Sequence, residues 1–357
     1  MRVDIAVIGA AGSCGRQFAA QVLERELIAE SSRLQLVGHR GGLSERELYG
    51  LRADLQDAFV DRAPTIEVAL DPEEVSADLW IMLAGRTIST DPSQPIDRVA
   101  LGKANLEIFE SYSAAIDSKN PPMVIVQSNP VELGVEVFGM AAGRHRVLGA
   151  GARSDTLRFR QEIAVDLGVR RPQVTAFMIG QHGDNLVPLW SSVRAEGVPD
   201  SILNEYVERN TKGRDLVDLP SEIQNAKARM AELVRADKVA EAYNYIGDLT
   251  ADVRAAVKPF FTHFTAGHTT EMATAHAVAD IVAAIAGGHR QVMAAQVTLD
   301  GEWLDVVGTI AVPVLTDPRG WSHVMPLDVT SDERDALIAA TAAVTKAHTT
   351  LRGGIAL

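Results

Sequence analysis

Val3-Asp4-Ile5-Ala6-Val7-Ile8-Gly9-Ala10-Ala11-Gly12-Ser13-Cys14-Gly15 is the stretch that decides the class of fold. Val3, Ile5, Val7 and Ile8 fit a short buried strand. Glycines at 9, 12 and 15 follow it, and Arg16 to Ala29 then carries Phe18, Ala19, Val22, Leu23 and Leu27 at helical spacing. Strand, glycine-rich turn and helix, in that order, is the setting in which such glycines gain chemical meaning. They permit a tight turn and let the backbone approach a pyrophosphate, while the helix N-terminus offers N–H groups and partial positive charge. The other reading is a tight strand–helix turn without a ligand. Its place at the first such junction favours dinucleotide binding, with Gly9, Gly12, Ser13, Cys14 and Gly15 as the contacts.

Working outward, Leu34 to Val37 reads as a second strand, and its tip is Gly38-His39-Arg40-Gly41-Gly42. An NAD site usually carries an acid there for the ribose hydroxyls, whereas an arginine accommodates a 2′-phosphate. Arg40, with His39 beside it, therefore favours NADP over NAD; the alternative is that Arg40 points into solvent. Asp78 to Gly85 is a further buried strand whose end, Ala84-Gly85, is small enough for a cofactor to lie across it. Arg86 to Asp97 is polar and broken by Pro92 and Pro95, so it reads as a loop of the kind that covers active sites. A helix is predicted from Arg98 to Ile116. Met123 to Gln127 is a strand ending in Ser128-Asn129-Pro130, which puts Asn129 at the carboxyl edge where open α/β sheets bind ligands.

Beyond Val147-Leu148-Gly149-Ala150-Gly151, helical spacing runs from about Ser154 to Leu167. Asp155 and Arg158 fall on one face of that helix, as a local surface ion pair or as part of a site. Val174 to Ile179 reads as one strand opening into Gly180-Gln181-His182-Gly183-Asp184. That places an imidazole, the side chain best able to exchange protons near neutrality, at a cleft edge. From Asn204 to Phe264 the chain is charged and helical in propensity, with one long helix predicted over Glu222 to Ala242 and others over Asp252 to Phe264 and from Thr269 to Ile285. Gln291 to Leu299 and Gly308 to Val314 read as antiparallel strands with Asp300-Gly301 as a turn signal, and Trp321 to Leu327 as a third. Thr330 and Glu333 form a capping box for a last helix ending near Leu351.

The bulk properties agree with a soluble globular protein. The 357 residues suffice for two domains, and 46% hydrophobic with 23% charged residues is ordinary for such a protein. A net charge of −13 argues against nucleic acid or an anionic membrane surface as partner. A single cysteine, Cys14, excludes an internal disulfide framework and cysteine-rich metal sites. With an apolar strand at the start and no run long enough to span a membrane, a soluble cytoplasmic protein is expected. His263, His268 and His276 do not form a clean i, i+4 pair, so no metal is expected.

Together GAAGSCG (9–15), SNP (128–130), SDTLRFR (154–160) and IGQHGD (179–184) resemble, in order and spacing, the lactate/malate dehydrogenases over nearly the whole chain. LVGH (36–39) and YGLRADLQDAF (49–59) look most like the archaeal-type members, several of which lack the strand-end acid and accept NADP. The resemblance implies a doubly wound Rossmann-type parallel sheet over 1–150, followed by an α+β catalytic domain over 151–357 with a helical insertion at about 204–264. It implies reversible hydride transfer between NAD(P)H and a 2-oxo acid, malate- or lactate-like or bulkier, in a homodimer or homotetramer. His182 would exchange the proton with the substrate oxygen, and Asp155 would fix its tautomer and favour the imidazolium. Arg158 would grip the substrate carboxylate through two parallel bonds. Arg98 would polarise the keto oxygen. Asn129 would orient substrate and cofactor, and Thr270 would line the pocket. His39, Arg40, Ala84, Gly85 and Asn105 complete the cofactor set.

Departures from the family pattern lie at the far end of the substrate. Where malate enzymes place an arginine in the loop, counting puts Ile88, with Arg86 the nearby cation. His268 and Glu271 flank Thr270 as unusual polar residues. The added helical stretch is either a pocket wall or a surface or subunit-contact insertion. Two other functions stay open: an NAD-dependent glycosidase-like enzyme, which would need a metal, and a cofactor-binding homologue without turnover.

Overall fold

The computed structural model describes residues 2–87, 89, 98–267 and 270–352, with residue 98 by its backbone only. The first half runs β1 (Ile5–Ile8), α1 (Ser13–Glu24), β2 (Arg33–Val37), α2 (Gly42–Phe59), β3 (Thr65–Ala69), β4 (Leu79–Met82), α3 (Arg98–Ala114), β5 (Met123–Val126), α4 (Val131–Ala142) and β6 (Val147–Gly149). The second half runs α5 (Gly151–Leu167), β7 (Val174–Thr175), β8 (Met178–Gly180), β9 (Leu186–Pro188), β10 (Arg194–Ala195), α6 (Asp200–Thr211), α7 (Leu219–Arg235), α8 (Val239–Gly247) and α9 (Ala251–Ala266). It closes with α10 (Glu271–Ala286), β11 (Val292–Asp300), β12 (Val307–Asp317), β13 (Gly320–Val324) and α11 (Ser331–Leu351).

β3, β2, β1, β4, β5 and β6 pair side by side in that order, all parallel. Parallel strands joined by crossover helices are covered on both faces, which is why β1, β4 and β5 are apolar and buried at every position. Alternate residues feed two cores. Ile5, Val7, Leu36 and Ile81 pack into one, and Ala6, Ile8, Val37 and Met82 into the other. The strand order reverses between β1 and β4, and a crevice at such a reversal is where doubly wound sheets bind ligands. Gly9 sits at that point with φ +88°, and a Cβ there would lie 2.5 Å from the Ala84 nitrogen, so only glycine lets the two strand ends meet.

The sheet does not stop at β6. β11 pairs antiparallel with it through Gln296 opposite Gly149, then β12 and β8 follow, with β9 on β8 and β13 on β12. Among the described residues this makes one sheet of eleven strands, beside a small sheet of β7 and β10. None of the described helices is long and apolar enough to cross a membrane.

Several sequence expectations change here. The strand predicted over Val174–Ile179 is two: β7 pairs with β10, β8 joins the large sheet, and Phe177 between them accepts the Leu189 N–H. The helix predicted over Glu222–Ala242 breaks after Ala236, where Asp237 takes φ 59°. Its N–H reaches Val234 and that of Lys238 reaches Leu233, the paired bonds that close a helix through a left-handed residue. Helical periodicity continues across the stop, so apolar spacing alone hides it. Asp300-Gly301 is not a two-residue turn. Residues 301–306 link β11 to β12, with Leu304 and Asp305 at φ 55° and 57°. Thr330 and Glu333 do form the capping box, and Glu333 also accepts the main-chain N–H and hydroxyl of Ser191.

Candidate active site

His182 lies in the tight loop after β8. Gly180 and Gly183 flank it at φ 82° and 86°, and the Gln181 N–H returns to the Asn185 carbonyl at 2.9 Å. α5 passes beneath this loop. A Cβ on Gly151, its first residue, would stand 2.7 Å from His182 Cγ, so the helix start is pared away to admit the ring. One turn on, Asp155 Oδ2 meets His182 Nδ1 at 2.6 Å. The other Asp155 oxygen accepts from Arg158 Nη1 at 3.1 Å, and Arg158 Nη2 donates to the Thr270 hydroxyl at 3.0 Å. Thr270 in turn stands 3.2 Å from the Thr274 hydroxyl at the start of α10. Four of the residues singled out in the sequence thus form one bonded chain, and the helical i, i+3 spacing of Asp155 and Arg158 is what joins two of them.

The charges reinforce one another. Burial opposes the imidazolium, but the Asp155 charge and hydrogen bond, with Glu132 beyond, raise the His182 pKa above its ordinary value. Burial would push the Asp155 carboxyl up; His182 and then Arg158 bring it below the usual carboxylate range. Burial lowers the Arg158 pKa, against the pull of Asp155.

A second group forms at the strand ends. Asn105, fully buried in α3, accepts the Arg86 N–H at 2.7 Å and donates to the carbonyls of Arg86 (3.0 Å) and Asn129 (2.6 Å). Its side chain fixes the backbone after β4 and β5. The side chain of Arg98, residues 88 and 90–97 of the loop, and His268 lie outside the described residues.

At the first turn α1 starts at Ser13 with Gly12 as its N-cap and no side-chain cap, and a Cβ on Gly15 would strike the Gly9 carbonyl at 2.3 Å. An uncapped helix start behind a stripped glycine corner suits a pyrophosphate. At the tip of β2, Arg40 is exposed to solvent but not unpartnered. Its guanidinium pairs with Asp71 and, at 3.1 Å, with Glu74, both just beyond β3. The Asp71 hydrogen bond and charge raise the Arg40 pKa. Tyr112, whose hydroxyl donates to the Gly38 carbonyl at 3.4 Å, is pushed up to about 12 by burial and then by Asp71.

Sequence reading missed the groups behind the imidazole. Glu132, at the start of α4, accepts the His182 main-chain N–H at 2.8 Å. Gln296, fully buried in β11, donates to Glu132 at 3.3 Å. A lone glutamine inside the apolar run VMAAQVTL was the available signal, since such a group needs a buried partner. On the outer side Lys227 of α7 donates to the Gly183 carbonyl at 3.0 Å and lies 3.8 Å from the Phe260 ring centroid, so the long helical stretch touches the histidine loop. Among the described residues no group of three His, Cys, Asp or Glu side chains is arranged to hold a metal ion.

The fold is of the doubly wound α/β class, and it carries an imidazole oriented by a buried carboxylate, an arrangement suited to proton exchange. The profile of the lactate/malate dehydrogenase NAD binding domain matches residues 3–149. A malate dehydrogenase of Methanosphaera stadtmanae is 24% identical over 353 residues, covering 96% of each chain. An L-2-hydroxycarboxylate dehydrogenase (NAD(P)(+)) of Methanocaldococcus jannaschii is 26% identical over 233 residues, 61% of this chain and 72% of that one. The crystal structure of malate dehydrogenase from Plasmodium falciparum shares the fold over the full length of both chains, with a TM-score of 0.73 at 20% identity. The chain is thus similar to the lactate/malate dehydrogenases over nearly its whole length, and its first half to their NAD binding domain.

Proposed function

We propose that the protein interconverts a 2-oxo acid and its 2-hydroxy acid with a nicotinamide dinucleotide. The observation that carries this is the 2.6 Å contact of His182 Nδ1 with Asp155, on a carboxylate that also holds Arg158. A bound nicotinamide would supply or accept the hydride. In the reducing direction His182, protonated and with Nδ1 engaged, gives a proton to the keto oxygen from Nε2; in the oxidising direction the neutral ring takes it back. Asp155 fixes the tautomer. Arg158 binds the substrate carboxylate, with Thr270 and Asp155 setting the plane of its guanidinium. Asn129 orients substrate and cofactor, and Arg98 and Arg86 are proposed as cations for the substrate from their places in the sequence.

The reading extends to a nucleotide half over 1–150, a catalytic half over 151–357, a homodimer or homotetramer, and a cytoplasmic location. Gly9, Gly12, Ser13, Cys14, Gly15, Ala84 and Gly85 are the proposed dinucleotide contacts. For the cofactor we favour NAD. The arginine that the sequence offers to a 2′-phosphate is engaged with Asp71 and Glu74, which NADP would have to displace. Arg40→Ala should then change the NADH-to-NADPH preference by less than about fivefold, the scale of an exposed ion pair. A selective loss of NADPH binding would restore the NADP reading. The deciding experiment is a panel of pyruvate, oxaloacetate, aryl and branched 2-oxo acids with NADH and NADPH side by side. If none is reduced with either cofactor, the proposal is wrong.

A further inference from the structure

Glu132 is a buried acid with no part in the chemistry above. It is 2% exposed and lies three residues beyond Asn129. Its Oε1 accepts two N–H groups, from the His182 main chain at 2.8 Å and from Gln296 Nε2 at 3.3 Å. Gln296 uses its other end as well: its Oε1 accepts the Ala152 N–H at 3.2 Å, one turn before Asp155. Two side chains therefore tie together the Asn129 corner, the helix that carries Asp155 and Arg158, and the loop that carries His182. The space for them is cut by glycine. A Cβ on Gly149 would lie 2.6 Å from Gln296 Cβ, and one on Gly151 would lie 2.7 Å from His182 Cγ. A glutamine amide and a carboxylate in the middle of an apolar sheet are costly unless bonded, and here both amide ends of Gln296 are used.

We infer that Glu132 and Gln296 are positioning residues for the acid–base imidazole: Glu132 holds the His182 main chain and places a second negative charge behind it, and Gln296 locks Glu132 to α5. This rests on His182 being the proton donor. The charged groups around the ring are Asp155 and Arg158 from α5 and Glu132 from α4; Glu132 also feels His348 from α11. With His182 protonated, two anions face two cations. With His182 neutral, the cluster is left with one net negative charge, which a poorly solvated site resists. Burial raises the Glu132 pKa above its ordinary value, and the His182 N–H and positive charge, which favour the carboxylate, oppose this only in part.

The test follows the His182 imidazole by NMR in the full-length, isotope-labelled protein without substrate, with His182→Gln assigning the resonance. Glu132→Gln should move the His182 titration midpoint down by about one pH unit, the effect of removing one near charge. The high-pH limb of 2-oxo acid reduction should move with it. Gln296→Met should lower kcat about tenfold, as expected for a slightly displaced group, while NADH affinity stays at the parental value. A parental midpoint in Glu132→Gln overturns the charge assignment. Parental kcat in Gln296→Met overturns the positioning. If Glu132→Gln does not fold, Glu132→Asp takes its place: it keeps the charge and shortens the reach. A parental midpoint with reduced kcat supports the inference, and parental kcat overturns it. Failure of every 2-oxo acid with the unmodified protein would sink the proposed reaction, while the NMR titration would still decide the role of Glu132.

Discussion

Gly151→Ala probes the site through a single methyl group. The added Cβ would stand 2.7 Å from His182 Cγ and 3.0 Å from its Cβ and Nδ1. Carbon atoms in contact settle at about 3.5–4.0 Å, so the ring must retreat by roughly 1 Å. Nδ1 is now 2.6 Å from Asp155. The same retreat would stretch that contact to about 3.6 Å, beyond a useful hydrogen bond. A misplacement of about 1 Å at a reacting group is worth about 10²-fold in rate. Overpacking should cost about 1–3 kcal/mol, partly offset by up to about 1 kcal/mol from the better helix propensity of alanine. The protein should therefore stay folded and lose kcat about 100-fold, with NADH binding intact. The measurements are steady-state reduction of the best 2-oxo acid, NADH fluorescence titration and a urea melt. If kcat stays within about twofold of the parent, the ring is not held against this corner and the geometric reasoning fails.

Asp155→Asn should bring the high-pH limb of keto reduction down by about 1–3 pH units, because the raised His182 pKa depends first on that carboxylate; a limb that stays put contradicts the dyad. The same pair shapes stability. The His182 contribution should be full below its unfolded value of about 6.5 and fade as pH rises through its raised folded value, while the Asp155 contribution, present above its ordinary range, should fade as pH falls through its lowered one. Urea melts across pH on the parent and Asp155→Asn would show both slopes or exclude them. Arg158→Lys should raise KM for the 2-oxo acid at least tenfold and leave NADH affinity unchanged, since an ammonium cannot reproduce the planar fork that spans Asp155 and Thr270; equal loss of both affinities would argue against carboxylate binding. Glu333→Ala should destabilise by about 2–4 kcal/mol by stranding the Ser191 and Thr330 N–H groups, without changing kcat of the folded protein; a melt within about 0.5 kcal/mol of the parent would show these bonds contribute little.

What could be read from the sequence was set by how local its cause is. The glycine corner at 9–15 was legible because strand, turn and helix adjoin one another. Asp155 and Arg158 were legible as a pair because helix geometry fixes their spacing. The reach from Asp155 to His182 crosses 27 residues and was supplied by resemblance, since no spacing rule foretells which loop lands on which helix. Glu132 and Gln296 were invisible for the same reason, 164 residues apart in the chain and brought together only where α4 packs against β11. Arg40 was seen, yet its partners were not, because Asp71 and Glu74 follow the neighbouring strand. The break at Asp237 escaped because aspartate is an uncommon occupant of a left-handed helix stop.

The join between β6 and β11 bears on how the molecule can move. Where two lobes meet only through a flexible linker, a cleft can gape and shut like a pair of jaws. Here the nucleotide-side strands and the long hairpin of β11 and β12 share one hydrogen-bonded ladder, and the Gly149–Gln296 contact lies where a hinge would have to be. Swinging one half away would part the strands at Gly149 and Gln296 and break the buried side-chain bonds that Gln296 makes to Glu132 and to the Ala152 N–H. Movement is then left to strand-end loops and helix termini, while the glycine corner and the histidine loop stay tied to one sheet. Such a platform trades range of motion for registry.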